Sequence, residues 1–146
     1  MTYVEYLERE AAACPWLPHA DTPGVCDRCG TKLTGRRTRW CSDACMYEWR
    51  GEHDWSAARE KAKRRDGHQC VKCGSTRALE VNHIVPRVGR GYGFGCHNHQ
   101  SNLETLCHDC HLIVTKQQAL ARRAAQLEYS LLTDGLVDRH QDGGDA

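Results

Sequence analysis

The residues that could do chemistry in this chain are ten cysteines and nine histidines among 146 residues. Cysteine pairs separated by two or three residues are typical metal ligands, and Zn²⁺ binds tetrahedral sets of thiolates and imidazoles. The first residues, MTYVEYLERE, lack the basic and apolar regions of a secretory signal, so we expect reducing conditions that disfavour disulfides. With one Phe and two Met, the apolar core is small. Bound zinc would stabilise the fold in its place, because zinc binding contributes folding free energy in small domains.

Two sets of four cysteines have the spacing of closed structural zinc sites. In the first set a CxxC pair precedes a CxxxC pair that opens the helical stretch CSDACMYEWR, an order that resembles a treble-clef finger. In the second set two CxxC pairs enclose the strand-like ALEVNHIV and a Gly-rich loop. Four ligands complete a tetrahedron, so we predict two structural Zn(II) ions. Their ligands are Cys26, Cys29, Cys41 and Cys45 for the first ion, and Cys70, Cys73, Cys107 and Cys110 for the second.

Histidines near the second set are left over once its four cysteines bind zinc. The segment around them resembles the HNH endonuclease family over about a third of the chain. The matching residues are NHIVP at 82–86, Asn102 in SNLETLC, and CHDCH ending at His111, with eight residues between Asn102 and His111. Four zinc cysteines interleaved in order with three signature residues make this resemblance specific.

The resemblance implies a small α+β, zinc-stabilised fold: a ββα-metal, treble-clef-like domain that follows an N-terminal zinc finger. It implies that His83 is the general base, a role that suits a side chain with an ordinary pKa of about 6.5. It further implies one catalytic divalent cation, Mg(II), Mn(II) or similar, between Asn82 and His111. Asn102 would orient His83 by bonding across the loop. Many members carry Asp at the position of Asn82, and a neutral amide is a weaker ligand for a hard cation.

Several other cysteines and histidines have more than one interpretation. Cys96, His97 and His99 in GCHNH either join a third metal site, line the catalytic site or brace the loop, and bracing is the interpretation we favour. His108 either assists phosphate binding or is solvated at the helix start, and Cys14 has no evident partner. The remaining histidines are predicted to be surface or local structural residues: His19, His53, His68 and His140.

The elements that must position these residues follow from Pro, Gly and charge patterns. Residues 3–13 have helical character and precede a segment with three Pro. Mixed charges without Pro predict one connecting helix that ends at Gly67, and residues 108–132 predict a C-terminal helix with one potential break. The predicted organisation is 1–24 N-terminal appendage, 25–50 four-Cys finger, 51–66 connecting helix, 67–125 HNH domain, and 126–146 helix end and acidic flexible tail.

The middle of the chain is basic although the net charge is only +1. Residues 1–24 and 126–146 carry −3 and −4, whereas 25–66 and 67–125 carry +4 each. Two four-thiolate zinc sites would leave about +4 on this middle part. A basic face favours the DNA backbone as a partner, and a mixed solvated surface is the alternative. The predicted contacts are Arg64, Arg65, Arg87, Arg90, Lys116, Arg122 and Arg123.

Together these features predict a metal-dependent HNH endonuclease that hydrolyses DNA phosphodiester bonds, by nicking or by double-strand cleavage. No window approaches the roughly 18 apolar residues of a membrane span, so we expect no membrane partner and a cytoplasmic location in a bacterial cell or phage-infected host. A homodimer or a packaging or repair partner would fit the family. Two alternatives stay open. One is a non-catalytic zinc module that binds nucleic acid or acts as a scaffold, and the other is a nuclease that acts on RNA, on structured intermediates, or as an accessory subunit of a packaging or repair assembly.

Overall fold

The computed structural model describes residues 3–16, 19, 22–87 and 95–137, and it divides the chain into two units, 1–110 and 111–146. Helices and an antiparallel hairpin make up the described part of the first unit, which confirms the predicted small α+β fold. In chain order the elements are α1 (Tyr3–Ala13), α2 (Asp43–His53), α3 (Trp55–Arg65), β1 (Leu79–His83), two 3-10 turns (Cys96–Asn98 and Gln100–Asn102), β2 (Leu103–Cys107) and α4 (His108–Val137).

Two helices meet where the sequence predicted one connecting helix over 51–66. Asp54 ends α2 and begins α3. Its N–H donates to the Arg50 carbonyl, while its carboxylate accepts from the backbone N–H groups of Ser56 (2.9 Å) and Ala57 (3.4 Å). A side-chain acceptor in this position satisfies the first N–H groups of a helix. The chain therefore turns at Asp54, because its capping bonds outweigh the helical composition on both sides.

The hairpin of β1 and β2 carries the small apolar core on the face that meets α3. The strands are antiparallel, and the last residue of β1, His83, pairs with Leu103. Ala58 and Ala62 lie one helical turn apart and are 0% exposed, so the backbone of α3 comes close to Val81 and Leu103. A core with so few large side chains buries little apolar area, which agrees with the expectation that metal sites stabilise this fold.

Arg65 and Asp66, at the end of α3, form hydrogen bonds with the backbone of β2. The Arg65 guanidinium donates to the carbonyl of Leu103 (2.7 Å) and to the carboxylate of Asp66 (2.8 Å). The same carboxylate accepts from the backbone N–H of Thr105 (2.9 Å). These bonds satisfy backbone groups of β2 and fix the helix against the hairpin.

The helix α4 runs without a break for 30 residues. The sequence predicted a helix from about 108 to 132 with one potential break, and continuity follows from a Pro-free composition rich in Ala, Leu, Gln and Arg. The first three residues of α4 belong to the first unit and the remainder to the second. Within the described ranges, no helix is both long and apolar enough to cross a membrane.

Candidate active site and metal centres

The eight cysteines predicted to bind zinc form two tight groups. Within each group of four, all sulfur atoms lie within 4.8 Å of one another. The Sγ atoms of Cys29 and Cys41 are 3.6 Å apart, as are those of Cys73 and Cys107. A tetrahedral Zn²⁺ with Zn–S bonds of about 2.3 Å needs sulfur separations of about 3.8 Å. Both groups therefore have a size and donor chemistry that fit a zinc ion.

The two groups are built on the same turn. In each group the chain folds back after the CxxC motif, and one backbone hydrogen bond closes the turn. The Cys26 N–H donates to the Thr31 carbonyl (2.9 Å), and the Cys70 N–H donates to the Ser75 carbonyl (2.8 Å). The glycine that follows each CxxC motif has a positive φ, +71° and +75° respectively, which favours glycine at that position. The local sequence thus brings the first two thiols of each group together, and more distant segments contribute the other two.

The second pair of the second group spans a strand end and a helix start. Cys107 is the last residue of β2, and Cys110 lies in the first turn of α4. The two cysteines of this pair therefore come from different elements, one from a strand and one from a helix. The strand places Cys107 beside β1 and its paired residue Leu79, so the hairpin itself carries one ligand.

The thiols in each group titrate unequally. Hydrogen bonds from Thr31 lower the pKa of Cys29 to about 6, whereas the neighbouring Cys45 raises the pKa of Cys41 to about 12. Burial opposes ionisation of Cys70, but backbone N–H groups outweigh it and lower its pKa to about 6. Cys107 raises the pKa of Cys110 to about 12. Four thiolates this close repel one another without a cation, so a bound metal is what would keep all four ionised.

His83, the predicted general base, lies at the end of β1 and is 9% exposed. Its ring stacks on Trp55 of α3, with the ring centres 4.7 Å apart. The Nε2 atom lies 3.1 Å from Oδ1 of Asn98, while the Asn98 amide nitrogen donates to the His53 carbonyl (2.8 Å). That second bond fixes which end of the Asn98 amide faces His83. Since Oδ1 can only accept, Nε2 carries the proton and Nδ1 carries the lone pair.

His97 lies next to the predicted base. The ring centres of His97 and His83 are 5.8 Å apart, and Nε2 of His97 has no hydrogen-bond partner within the described ranges. Burial lowers the pKa of His97 to about 4, and burial also lowers the pKa of His83. Both rings are therefore neutral near pH 7. Gly95 makes room for this arrangement, because a Cβ at that position would lie 2.7 Å from the His97 ring.

Asn102 bonds the backbone on both sides of the loop that follows His83. Its Oδ1 accepts from the Val85 N–H (2.7 Å), and its amide nitrogen donates to the His97 carbonyl (2.9 Å). The Ile84 N–H also donates to the Asn102 carbonyl (2.8 Å). Asn102 thus holds the backbone just after His83, while Asn98 is the residue that bonds the imidazole itself. The effect of Asn102 on the reaction rate stays a prediction.

Asn82, a predicted ligand of the catalytic cation, points to the opposite face of β1 from His83. Its amide nitrogen donates to the carboxylate of Glu104 on β2 (3.1 Å), which leaves its amide oxygen as the atom able to coordinate a cation. His111, the other predicted ligand, lies in α4. Its pairing with Asn82 around a cation stays a prediction.

The predicted DNA contacts differ in what already surrounds them. Arg65 is bound by Asp66 and backbone carbonyls, which accounts for it without a nucleic acid. Arg64 is exposed and Arg87 half-buried, and Arg90 lies outside the described residues. The other three are exposed on α4: Lys116, Arg122 and Arg123. Contact of any of these residues with DNA stays a prediction.

A third group of possible metal ligands contains residues that the sequence did not connect. His53 is 3% exposed, so of the two roles predicted for it, surface residue or local structural residue, the structure excludes the surface role. Its Nε2 lies 3.3 Å from Sγ of Cys14, a cysteine for which the sequence offered no partner. Cys96 and His99 complete the group, with all four donor atoms within 4.8 Å of one another.

Sequence reasoning also missed Asn98, which is 0% exposed and bonds His83. It stands four residues before Asn102 in a segment rich in polar residues, and no local spacing marks it. Its partner lies in another element, so only the folded chain shows its role.

Comparisons with known proteins address the family directly. A family model described as HNH endonuclease matches residues 70–117. A protein of Lactococcus phage SK1 named "Probable HNH endonuclease" is 32% identical over 66 residues, which cover 43% of this chain and 70% of that protein. No solved structure gives a significant match. The chain belongs to the HNH endonuclease family, as the motifs around His83, Asn102 and His111 predicted.

Proposed function

We propose that this protein is a metal-dependent endonuclease that hydrolyses DNA phosphodiester bonds, with His83 as the general base. The observation that carries the proposal is the His83–Asn98 pair, a buried imidazole held at Nε2 inside the segment that matches the HNH endonuclease model. A base held in one tautomer presents its lone pair in one direction, and orientation of the reacting group contributes strongly to rate.

The proton of the attacking water passes to Nδ1 of His83. The imidazolium that forms donates through Nε2 to Oδ1 of Asn98, so this bond becomes charge-assisted as the reaction proceeds. Burial keeps the ring neutral before the reaction, because it lowers the pKa of His83. Trp55 covers one face of the ring and limits its rotation.

A divalent cation such as Mg(II) or Mn(II) would supply Lewis-acid stabilisation of the charge that grows on the phosphoryl and leaving oxygens. The amide oxygen of Asn82 is suited to hold it, and the Glu104 carboxylate beside the Asn82 amide adds the negative charge that Asn82 itself lacks. His111 is proposed as the second protein ligand on the family resemblance. The two four-cysteine groups are proposed to bind structural Zn(II), because their donors and separations suit that ion.

The proposed partner is the DNA backbone, and Arg87 is the contact that the site favours most. It lies four residues after His83, close enough to influence the pKa of that ring, so a phosphate at the base would also be near this guanidinium. The Arg87→Ala variant should weaken binding similarly for unrelated DNA sequences and reduce the slope of affinity against salt. An unchanged salt slope would remove Arg87 from the interface.

We place the protein, on the same proposal, in the cytoplasm of a bacterial cell or a phage-infected host, where its DNA substrate is found. A homodimer would allow both strands to be cut, and a packaging or repair complex would supply the DNA target. The homodimer is testable by measurement of the molar mass in solution, with and without DNA.

The test of the proposed function is conversion of supercoiled plasmid to nicked and linear DNA by zinc-loaded protein. Parent, His83→Ala and His108→Ala chains are compared with Mg(II), with Mn(II) and without an added divalent ion. His108 is the matched control, because it is exposed and its ring bonds the Glu80 carboxylate, which accounts for this histidine without a DNA phosphate. We expect cleavage that needs the cation, survives in the His108 variant and is lost in the folded His83 variant.

Two other outcomes would overturn the proposal. Cleavage that persists in folded His83→Ala would mean that His83 is not the base. A parent chain that binds DNA but is inert with every cation would favour the non-catalytic zinc module, and RNA offered in the same assay would identify a ribonuclease.

A further inference from the structure

Four donor atoms from three separate parts of the first unit meet at one point. Cys14 follows α1, His53 ends α2, and Cys96 and His99 lie in the loop before β2. Nε2 of His53 is 3.3 Å from Sγ of Cys14 and 3.3 Å from Nε2 of His99. Cys14 and His53 are each 3% exposed, and the His99 side chain is 12% exposed. These polar atoms are thus gathered in a place that water hardly reaches.

The Nδ1 atoms of both imidazoles already donate hydrogen bonds to groups outside this set of four ligands. Nδ1 of His53 bonds the Trp49 carbonyl at 3.0 Å, and Nδ1 of His99 bonds the Glu10 carboxylate at 3.1 Å. Both partners can only accept, so the two Nδ1 atoms carry the protons and the two Nε2 atoms carry lone pairs in the neutral rings. Two lone pairs that face each other at 3.3 Å repel unless a positive charge lies between them.

The dimensions of the group match those of a tetrahedral metal. Zn–N bonds of about 2.0–2.1 Å place two nitrogen ligands about 3.3 Å apart. A proton shared by the two rings would interact with two of the four ligand atoms, whereas a metal cation would interact with all four. The carboxylate and carbonyl that orient the two histidines are the partners commonly found behind zinc-bound imidazoles. The two four-cysteine groups use eight of the ten cysteines, and this group contains the other two.

We propose that a third zinc ion is bound here by two thiolates and two imidazoles. Its ligands are Cys14, His53, Cys96 and His99. Four protein ligands close the tetrahedron, so the site is structural and has no position for substrate. It is separate from both four-cysteine groups and from the proposed catalytic residues. It joins the segment after α1 and the end of α2 to the loop that carries Asn98.

The test is the zinc content of purified protein, measured by mass spectrometry of the metal after treatment with a chelating resin in the presence of Mg²⁺. We expect about three zinc ions per parent chain and about two in each of Cys14→Ser and His99→Gln. The matched control is His111→Gln, the same substitution at the histidine proposed to hold the exchangeable cation. It should keep about three.

X-ray absorption at the zinc edge serves as a second measurement that needs no variant to fold. The parent alone should show a nitrogen shell at about 2.0–2.1 Å beside the sulfur shell. A sulfur-only shell in the parent, equal zinc in parent and both variants, or loss of the third zinc in His111→Gln instead would each overturn the proposal. A disulfide between Cys14 and Cys96, seen as a mass lower by two hydrogens without reductant, would overturn it as well.

Discussion

The bond between Asn98 and His83 gives a prediction that separates positioning of the base from simple stability. Replacing Asn98 by Ala removes the acceptor that faces Nε2 of His83 at 3.1 Å. During proton transfer that bond changes from neutral to charge-assisted, and a hydrogen bond to a charged group contributes about 1.5–3 kcal/mol. Because this energy is realised in the transition state, kcat should fall about 10- to 100-fold while KM changes little.

The cost to folding should be smaller. The His53 carbonyl loses the Asn98 amide as a donor, but it keeps the backbone N–H of Gly95 at 2.9 Å. The His53 carbonyl therefore keeps a donor, while the buried His83 N–H loses its acceptor, so we expect a stability loss of about 1–2 kcal/mol. Circular dichroism and zinc content will show whether the variant is folded before rates are compared.

The assay is the initial rate of plasmid nicking over a range of DNA concentrations, for parent, Asn98→Ala and Asn98→Asp. An aspartate keeps an acceptor beside Nε2, so it should recover much of the lost rate, which a purely structural role of Asn98 does not predict. Ser101→Ala is the control on the same loop, because its side chain is exposed. Parent-like kcat in folded Asn98→Ala, or a change confined to KM, would refute the reasoning.

Three further predictions concern stability and metal binding. Cys70→Ser should unfold the hairpin domain, because structural zinc contributes about 10–16 kcal/mol against a total stability of about 5–15; unchanged circular dichroism after complete zinc loss would contradict this. Asp66→Asn should cost about 1–3 kcal/mol in urea unfolding. Burial opposes ionisation of Asp66, but bonds from Arg65 and Thr105 lower its pKa, so this difference should be full at neutral pH and shrink as pH falls through that pKa. Glu10→Gln should weaken zinc at the third site about 10- to 100-fold in chelator competition, with Glu8→Gln unaffected.

Local spacing was enough to predict the features that are built from neighbouring residues. Four of the eight thiols in the two four-cysteine groups are placed by turns of six residues, from the first cysteine to the residue that closes the turn, and the other four stand in pairs of similarly short spacing. The strand around His83 and the helix from residue 108 follow from composition in the same way. The helix break at Asp54 also has a local signal, because Asp54 caps the next helix by accepting from Ser56 two residues later. The uninterrupted run of mixed charges on both sides made one continuous helix the simpler prediction.

Features that depend on distant partners could not be predicted in this way. His53 has an ordinary surface composition around it, and its burial depends on Trp16 and Trp49, whose rings lie against it. Asn98 gains its role from His83, fifteen residues earlier, and from the carbonyl of His53, forty-five residues earlier. Sequence spacing contains no information on such contacts, because they form only when α2 and the loop before β2 meet.

The third group of ligands joins two parts of the chain that the family comparison treats differently. Cys96 and His99 lie inside residues 70–117, the range of the HNH endonuclease match, whereas Cys14 and His53 lie before it. His53 also gives its carbonyl to Asn98, the residue that holds His83. A metal bound by this group would therefore fix the position of Asn98 from the side opposite the base. On this proposal the N-terminal segment supports the proposed active site, which would explain how a chain with so small an apolar core holds a buried imidazole in one orientation.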